Sequence, residues 1–597
     1  MENNKSDLFL VHSMKRLTFF VAVIIIFSIV VAVKIYMLMV SGAGKYGELA
    51  ILVQERERSI KARRGIIYDR NGVCLASNKP VCSISVIHNQ ITEPEKVIEV
   101  LSSRLDMDEA EIRKRVEKVS SREKIKSNVD KDIADEIRRL NLDGVMVDDD
   151  YKRYYPYSTL ASKIIGFTGA DNQGIVGIEV QYDDVLAGTD GSINTLTDAR
   201  GIEIKNKAKT RVEPIPGNNL VLTIDANIQT YIETKAMEIL HKKSAKRVCI
   251  IVMNPQNGEI YGLTDVPEYD LNNPFELNVE LPEGTTDKEK QDMLNQMWRC
   301  FPISDTYEPG SAFKIVTATA ALEEGVVKEE DGFYCPGYRV VEDRRIRCHK
   351  VSGHGQETFK EGIMNSCNPV FMDVGLRLGK DNFYKYLKAL GFFEKTGVDL
   401  PGEAGSIFHK QENVKIVDMA VMSFGQSFQI TPLQLMRAAS AVVNGGRLIT
   451  PHFGLYVTDQ NDNIIEKLEY AETDGAISVE TSERMKVLLD AVVSEGTGGK
   501  AYVEGFDIGG KTATSEKLPR GNGKYIASFL GFAPTDNPQV MVLVLIDEPE
   551  GVYYGGTIAA PVAGEVFKNI LPYMGIQKHS VEDNDNDTEE TWVDTVF

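Results

Sequence analysis

A serine and a lysine three residues apart, Ser311 and Lys314, have the types and spacing that nucleophilic catalysis requires. They lie in EPGSAFKIVTATAALEEG (308–325), where a Pro-Gly pair precedes an alanine-rich apolar run, a pattern that predicts a helix. On a helix the two side chains share a face. A lysine kept neutral by burial can take the proton of a serine hydroxyl, which is otherwise a poor nucleophile. Because Ser121 and Lys124 have the same spacing in a charged surface run, the pair alone is a weak signal.

Two later segments supply further polar groups. NSCNPVF (365–371) contains a serine and an asparagine two residues apart. IGGKTATSEK (508–517) contains a lysine and two threonines after a double glycine, which allows another backbone to come close. The residues concerned are Ser366, Asn368, Lys511, Thr512 and Thr514.

The segment Lys395-Thr396-Gly397 competes with the one that begins at Lys511. It lies in GFFEKTGVDLPGE (391–403), a turn-rich connection that offers no strand to line a cleft. Lys511 instead comes shortly before KYIASFLGFAP (524–534), which predicts the neighbouring antiparallel strand. The strand context therefore favours Lys511.

The three segments in this order resemble the active-site signature of the penicillin-binding proteins and serine β-lactamases: Ser-x-x-Lys, Ser-x-Asn and Lys-Thr/Ser-Gly. RRGIIYDRNGVCLA (63–76), SFGQSFQITPLQL (423–435) and GFAPTDNPQVMVLVLIDEP (531–549) extend the resemblance to the class B penicillin-binding proteins. Those are single-pass proteins with a pedestal domain and an outer transpeptidase domain, and residues 41–215 show no pattern of the glycosyltransferase domain of class A enzymes. Ala513 stands where the family usually has glycine, so we expect β-lactam affinity to be affected more than activity.

The resemblance implies acyl transfer in two steps. Ser311 attacks the carbonyl of a D-Ala-D-Ala stem peptide, with Lys314 as the proton acceptor. Ser366 relays a proton to the departing D-Ala, while Asn368 holds the peptide amide and helps to position Lys314. The ammonium group of Lys511 and the hydroxyl groups of Thr512 and Thr514 bind the terminal carboxylate. The backbone N–H groups of Ser311 and Thr514 form the oxyanion hole. An amine of a second stem peptide then completes the cross-link, whereas β-lactams stop at the acyl-enzyme.

Three cysteines and one histidine, Cys335, Cys348, His354 and Cys367, crowd into one short stretch. Three thiolates and one imidazole are a common donor set for a closed tetrahedral zinc site. The alternatives are a Cys335–Cys348 disulfide, which is allowed outside the membrane, and free thiols. His349 is a rival ligand, although adjacent Cys and His residues rarely bind one ion without strain. The order of these residues resembles the sporulation-specific class B proteins of endospore-forming bacteria.

The segment Ser366–Asn368 connects this cluster with the active site. If the segment is extended, its serine and asparagine face one way and Cys367 faces the other. A zinc ion on Cys367 would then hold both catalytic side chains from behind. We therefore expect a structural zinc and no cofactor for catalysis.

The composition is that of a globular protein with more than one domain. The chain has 597 residues, of which 43% are hydrophobic and 26% charged, so a mainly disordered, collagen-like or polytopic membrane protein is excluded. The net charge of −20 argues against nucleic-acid binding, because phosphates require an excess of lysine and arginine. Seven cysteines in a chain of this length do not make a disulfide scaffold.

One uncharged apolar run, LTFFVAVIIIFSIVVAV (17–33), begins the predicted membrane anchor, which continues past Lys34 to residue 40. Lys15 and Arg16 precede it, so the positive-inside rule predicts a cytoplasmic N-terminus and an extracytoplasmic catalytic part. The alternative is a cleaved signal peptide, whose apolar region is usually only about 7–15 residues long.

The predicted fold is a single transmembrane helix, an α+β pedestal domain, and an α/β transpeptidase domain with an antiparallel sheet flanked by helices, as in serine β-lactamases. The pattern over 219–240 predicts a strand, a helix cap at Asp225 and a helix, and a hairpin and a buried strand are predicted at 249–263 and 540–546. Residues 41–60 and 93–141 are expected to be helical. The predicted divisions are a cytoplasmic tail (1–16), an anchor (17–40), a pedestal (41–215), a transpeptidase domain (216–575) and a disordered acidic tail (576–597).

The sequence leaves several functional alternatives open. The main hypothesis is a peptidoglycan transpeptidase of spore cortex synthesis, and a division or elongation enzyme is the second. A non-catalytic scaffold or β-lactam sensor with the same fold is the third, although it has no need of all the polar groups. The expected partners are peptidoglycan stem peptides, β-lactams as inhibitors, the cell membrane and, for the pedestal, a membrane glycan polymerase of the shape, elongation, division and sporulation family.

Overall fold

The computed structural model describes residues 3–40, 55–120, 122–197 and 203–578. Contacts divide the chain into two compact units that alternate along the sequence. The first unit comprises residues 1–62, 80–151 and 189–215, and the second comprises residues 63–79, 152–188 and 216–597. The helix expected over 41–54 and the acidic tail from 579 onward lie outside the described residues.

The N-terminal helix Asn3–Val40 contains the predicted membrane anchor. Its part Met14–Val40 is 27 residues long with a mean hydropathy of 2.8, so it is long and apolar enough to cross a bilayer. The side chains of this part are exposed. An apolar helix that buries none of its surface in the protein fits a lipid environment.

The first unit has an α+β core. Its elements are the strands Cys74–Val86, Glu123–Asp130 and Val145–Tyr154 and the helices Pro94–Leu105, Glu109–Val116 and Lys131–Arg139. The helical expectation for 93–141 is therefore right for three segments and wrong for Glu123–Asp130. That segment is charged, but pairing with residues 81–86 buries its Ile125 and Val129 against the helices.

A second sheet of this unit joins three antiparallel strands. They are Glu55–Ile60, Gly191–Thr197 and Glu203–Val212. The expectation that residues 55–60 continue a helix is wrong. These residues pair with Gly191–Leu196, a partner more than 130 residues away that no local pattern reveals.

The second unit is built on an antiparallel sheet of five strands, the catalytic sheet. The strands are β1 (Arg247–Met253), β2 (Ile260–Val266), β3 (Gly509–Glu516), β4 (Tyr525–Ala533) and β5 (Val540–Asp547), and their order across the sheet is β2-β1-β5-β4-β3. The predicted hairpin and buried strand are β1–β2 and β5. Every residue of β5 is buried because β1 and β4 flank it and both of its faces are covered. β3 is the edge strand next to which the site is built.

Helices cover both faces of the catalytic sheet. Ala226–Lys242, capped by Asp225 as predicted, and Ala560–Tyr573 pack on one face. The other face packs against a larger group: Lys314–Glu323, Asn368–Ala389, Ile416–Met422, Pro432–Val443 and Val479–Ser494. This is the predicted arrangement of an antiparallel sheet between helices.

The remaining helices and strands of this unit lie outside the catalytic sheet and the helices that cover it. The helices are Ser162–Ile165, Gly177–Gln181, Asp183–Leu186, Asp287–Trp298, Phe301–Ser304, Phe359–Met364 and Gly555–Ile558. The strands Ile67–Tyr68, Asn219–Leu222, Gly454–Thr458 and Ile464–Lys467 form part of a further sheet. Two small hairpin-like pairs, Gly332–Cys335 with Gly355–Thr358 and Tyr338–Val341 with Arg344–Arg347, carry the cysteine cluster and its surroundings.

Candidate active site

Ser311 lies in a tight turn that leads into a fully buried helix. Residues 310–313 form one turn of 3-10 helix, and the α-helix Lys314–Glu323 follows with its first nine residues buried. Gly310 has φ +54°, and a Cβ there would collide with Ser515 Oγ of β3. Gly310 N also donates to Gly425 O at 2.9 Å. The turn is thus pressed against β3, which places Ser311 beside residues 513–515.

The Lys314 ammonium group holds the second segment in place. Its Nζ donates to Ser366 O at 2.7 Å, to Asn368 Oδ1 at 2.8 Å and to Ser366 Oγ at 3.2 Å. Lys314 is 1% exposed, and burial lowers its pKa to about 8, against a smaller opposite effect of the thiols of Cys367 and Cys348. A substantial fraction of this lysine is therefore neutral near physiological pH.

The hydrogen-bond partners of Lys314 suit a proton acceptor. A neutral amine has two hydrogens and one lone pair. Ser366 O and Asn368 Oδ1 can only accept, so they take both hydrogens. The lone pair is then left for a hydroxyl group: Ser366 Oγ lies 3.2 Å from Nζ, and Ser311 lines the adjoining cleft.

The segment Ser366–Asn368 is not extended, which corrects the sequence-based expectation. It is a tight connection between the helices Phe359–Met364 and Asn368–Ala389, in which Ser366 has φ +54° and Cys367 is the helix cap. The expected divergence of side chains nevertheless occurs. Ser366 and Asn368 bond Lys314, whereas Cys367 lies in the cysteine cluster.

Lys511 lies on β3, as the strand context predicted, and pairs with Leu530 of β4. Side chains alternate along a strand, so Lys511, Ala513 and Ser515 share the face toward the Ser311 turn. Lys511 is fully buried, and burial together with the charge of Lys314 lowers its pKa well below the ordinary value. Among the described residues no carboxylate bonds Lys511, whose Nζ donates to Thr512 O at 3.2 Å. A carboxylate placed beside this buried amine would favour its charged form, so the position suits an anionic ligand.

The two threonines of the third segment point to the opposite side of β3. Thr514 Oγ1 accepts from Gly555 N at 2.9 Å, so its own proton is available for a ligand. Thr512 Oγ1 lies 3.2 Å from Thr497 Oγ1. Thr497 was missed by the sequence analysis, because its segment lies outside the three motifs and only the fold brings it to the site.

A cleft of about 620 Å3 joins these groups. Ser311, Ser366, Asn368, Thr512 and Thr514 line it, and Lys314 and Lys511 are buried beside them. The structure therefore brings all seven predicted catalytic and substrate-binding residues together. The competing segment 395–397 is not part of the lining, since Thr396 is bonded to Glu403 in a separate loop.

Three tyrosines of the cleft wall were also missed. Tyr525 and Tyr553 stack with ring centroids 3.9 Å apart, and Tyr554 lies next to them. Lys500 and His349 complete the charged and titratable groups of the lining. None of the described lining residues is acidic, so the cleft attracts negatively charged ligands.

The four predicted metal ligands, Cys335, Cys348, His354 and Cys367, converge behind Asn368. Their donor atoms all lie within 4.8 Å of one another, and Cys348 Sγ is 3.7 Å from His354 Nδ1. Zn–S and Zn–N bonds of about 2.3 and 2.0 Å at tetrahedral angles require donor separations of roughly 3.5–3.8 Å. The donor set fits zinc and the Cys348–His354 separation matches this geometry, whereas separations of up to 4.8 Å would have to shorten on binding. The rival ligand His349 lines the cleft, and its Nδ1 also lies 3.8 Å from Cys348 Sγ.

Comparisons with known proteins agree with this architecture. Residues 248–571 match the Penicillin binding protein transpeptidase domain, and residues 59–222 match the Penicillin-binding Protein dimerisation domain. The chain therefore belongs to the penicillin-binding proteins that carry a transpeptidase domain. The dimerisation domain and the extent of the resemblance place it in class B, whose members are serine-type peptidoglycan D,D-transpeptidases.

Two curated relatives and one solved structure illustrate the similarity. "Stage V sporulation protein D" of Bacillus subtilis (strain 168) is 39% identical over 549 residues, which cover 90% of this chain and 82% of that protein. "Probable peptidoglycan D,D-transpeptidase PenA" of Neisseria meningitidis serogroup A is 30% identical, with coverages of 87% and 86%. The crystal structure of Penicillin Binding Protein 2X from Streptococcus thermophilus has a TM-score of 0.72 at 21% identity, with coverages of 87% and 81%, and so shares the fold.

Proposed function

We propose that this chain is a membrane-anchored D,D-transpeptidase that cross-links peptidoglycan stem peptides during spore cortex synthesis. The observation that carries the activity is the set of hydrogen bonds from Lys314 to Ser366 and Asn368 in a cleft lined by Ser311. The sporulation role is supported by the 39% identity to the Bacillus subtilis protein and by the order of the cysteines and histidine, which resembles that of the sporulation-specific class B proteins.

In the first step, Ser311 Oγ attacks the carbonyl carbon of the penultimate D-Ala. The hydroxyl proton passes to neutral Lys314 Nζ, and the oxyanion is held by the backbone N–H groups of Ser311 and Thr514. The C–N bond then breaks, and the amine of the leaving D-Ala receives its proton through Ser366, which is hydrogen-bonded to Lys314. The product is an ester between Ser311 and the donor peptide.

In the second step, an amine of a neighbouring stem peptide attacks this ester. Its proton is taken up along the same route, and Ser311 is released as a free hydroxyl. Lys511 and the hydroxyls of Thr512 and Thr514 hold the terminal carboxylate of the donor. A β-lactam places its own carboxylate there and acylates Ser311. The amine that ring opening produces stays attached to the acyl group, so no leaving group departs and the reaction stops at the acyl-enzyme.

The test is mass spectrometry of the full-length protein in detergent after incubation with a penicillin. We expect one adduct on Ser311 in the wild type and none in Ser311→Ala. D-Ala release from a pentapeptide is the second readout, since a scaffold or sensor gives none. Transcription confined to spore formation would support the cortex role, whereas expression throughout growth would favour a division or elongation enzyme.

We also propose the membrane orientation. Lys15 and Arg16 precede the apolar part of the N-terminal helix and keep its start in the cytoplasm. The second unit, which contains the candidate active site, is then on the extracytoplasmic side of the membrane, where peptidoglycan lies. The first unit is proposed to contact a membrane glycan polymerase. Protease treatment of intact spheroplasts should remove the catalytic unit. Protection of that unit would contradict this orientation.

A structural zinc ion is the final part of the proposal. Cys335, Cys348, His354 and Cys367 would hold it. The ion would cross-link the segment 335–354 to the start of the helix at Asn368. These residues would fix the position of Ser366 and Asn368 without taking part in proton transfer. Metal analysis of protein purified without chelators should give about one zinc per chain. A peptide mass lower by two hydrogen atoms, with Cys335 and Cys348 linked, would indicate a disulfide instead.

A further inference from the structure

An exposed arginine-rich hairpin stands beside the active-site cleft. Its strands Tyr338–Val341 and Arg344–Arg347 pair so that Tyr338 is opposite Arg347 and Val340 is opposite Arg345. Opposite residues of an antiparallel pair share a face. The other face is anchored: Val341 is buried, and Arg339 forms an ion pair with Asp373 at 2.9 Å.

The outer face of the hairpin, formed by Tyr338, Val340, Arg345 and Arg347, is free. Val340 is 54% exposed, and both arginines are exposed. The Arg345 guanidinium stacks on the Tyr338 ring at 3.8 Å, which holds it in a fixed position. Within the part of the chain that the structure describes, no carboxylate forms an ion pair with Arg345 or Arg347. In a chain of net charge −20, two arginines on one face without a carboxylate partner among the described residues are a distinctive feature.

This face is linked to the residue that holds the donor peptide. Asn368 Nδ2 donates to Arg347 O at 3.3 Å, and His349, two residues further, lines the cleft. If Asn368 holds the peptide amide of the donor, the donor residues upstream of D-Ala-D-Ala would extend toward the hairpin, and the D-Ala carboxylate would lie toward Lys511.

We propose that the outer face of the hairpin binds carboxylate groups of the donor stem peptide that lie upstream of its D-Ala-D-Ala end. Charge complementarity selects the occupant, since a planar guanidinium pairs well with a carboxylate and the adjacent cleft lining contains no acidic residue among those described. The inference rests on the proposed transpeptidase function and adds the specificity element for its donor.

The test compares two donors with the full-length protein in detergent. One pentapeptide ends in D-Ala-D-Ala and carries a free carboxylate upstream, and the second has that carboxylate amidated. For the double variant R345Q/R347Q we expect kcat/KM for D-Ala release from the acidic donor to fall about five- to tenfold, as the loss of two partly exposed ion pairs predicts. The amidated donor and acylation by a fluorescent penicillin should be unchanged.

The matched control is R344Q, which removes the same charge from the same hairpin. Arg344 faces away from the outer face and lies near Asp343, so this variant should retain the wild-type preference for the acidic donor. An equal loss in R344Q, or equal losses for both donors, would overturn the inference and leave the transpeptidase function standing. A loss confined to transfer onto an acceptor amine would also overturn it. No D-Ala release from either donor by the wild type would instead refute the proposed function itself.

Discussion

The most informative prediction concerns the pH dependence of acylation, because it reports the proton acceptor directly. Burial lowers the pKa of Lys314 to about 8. Only the neutral amine can accept the Ser311 proton, so the rate follows the neutral fraction. That fraction is roughly 10% at pH 7 and roughly 90% at pH 9 for a pKa near 8, but below about 0.1% at pH 7 for an ordinary lysine.

We therefore expect the second-order rate constant for acylation to rise about tenfold between pH 7 and pH 9 and then to level off. The assay is stopped-flow fluorescence with a labelled penicillin at constant ionic strength. Lys314→Arg is the control, because a guanidinium stays protonated over this range. It should be acylated at least about a hundredfold more slowly, with no rise across these pH values.

The result that refutes this reasoning is a wild-type rate that is constant from pH 6.5 to 9.5, or a Lys314→Arg variant with the wild-type profile. Either outcome would mean that another group accepts the proton. A midpoint near pH 10.5 would instead mean that the lysine is hydrated and not buried in the working enzyme.

Three further predictions follow from the site. Lys511→Met should lower the acylation rate about 10- to 100-fold by removing the group that pairs with the ligand's carboxylate, while thermal unfolding shows no loss of Tm because an apolar side chain replaces a buried amine that has no carboxylate partner among the described residues. Ala513→Gly, which restores the family's usual residue, should increase penicillin affinity with little change in D-Ala release from a pentapeptide; unchanged affinity would show that the methyl group does not crowd the ligand. Cys348→Ser should lower both the zinc content and Tm and slow acylation, whereas a variant with full acylation and no bound zinc would contradict a positioning role of the metal.

The chemistry of the site could be predicted from residues close together in the sequence. Ser311 and Lys314 are one helical turn apart, and the glycines before Lys511 together with the following strand identify the third segment. Each of these signals is local, because helix caps, turns and alternation depend on neighbours a few residues away. For the same reason the cap at Asp225 and the buried strand β5 were predicted correctly.

Other features depend on partners that are distant in the sequence. Residues 55–60 and 123–130 are charged segments whose strand conformation comes from pairing with another strand. The left-handed conformation of Ser366 results from the turn between two packed helices, so an extended segment was the wrong expectation. Tertiary packing overrides local preference at such positions.

The sequence alone therefore determined which groups this protein brings to catalysis, since the identity and order of Ser311, Lys314, Ser366, Asn368 and Lys511 are written in the chain. Only the tertiary structure decided how those groups act. It buries Lys314 until its pKa falls to about 8, and it gives that lysine partners more than 50 residues away. Burial and hydrogen bonding at a distance are properties of the packed molecule, which no stretch of sequence possesses by itself.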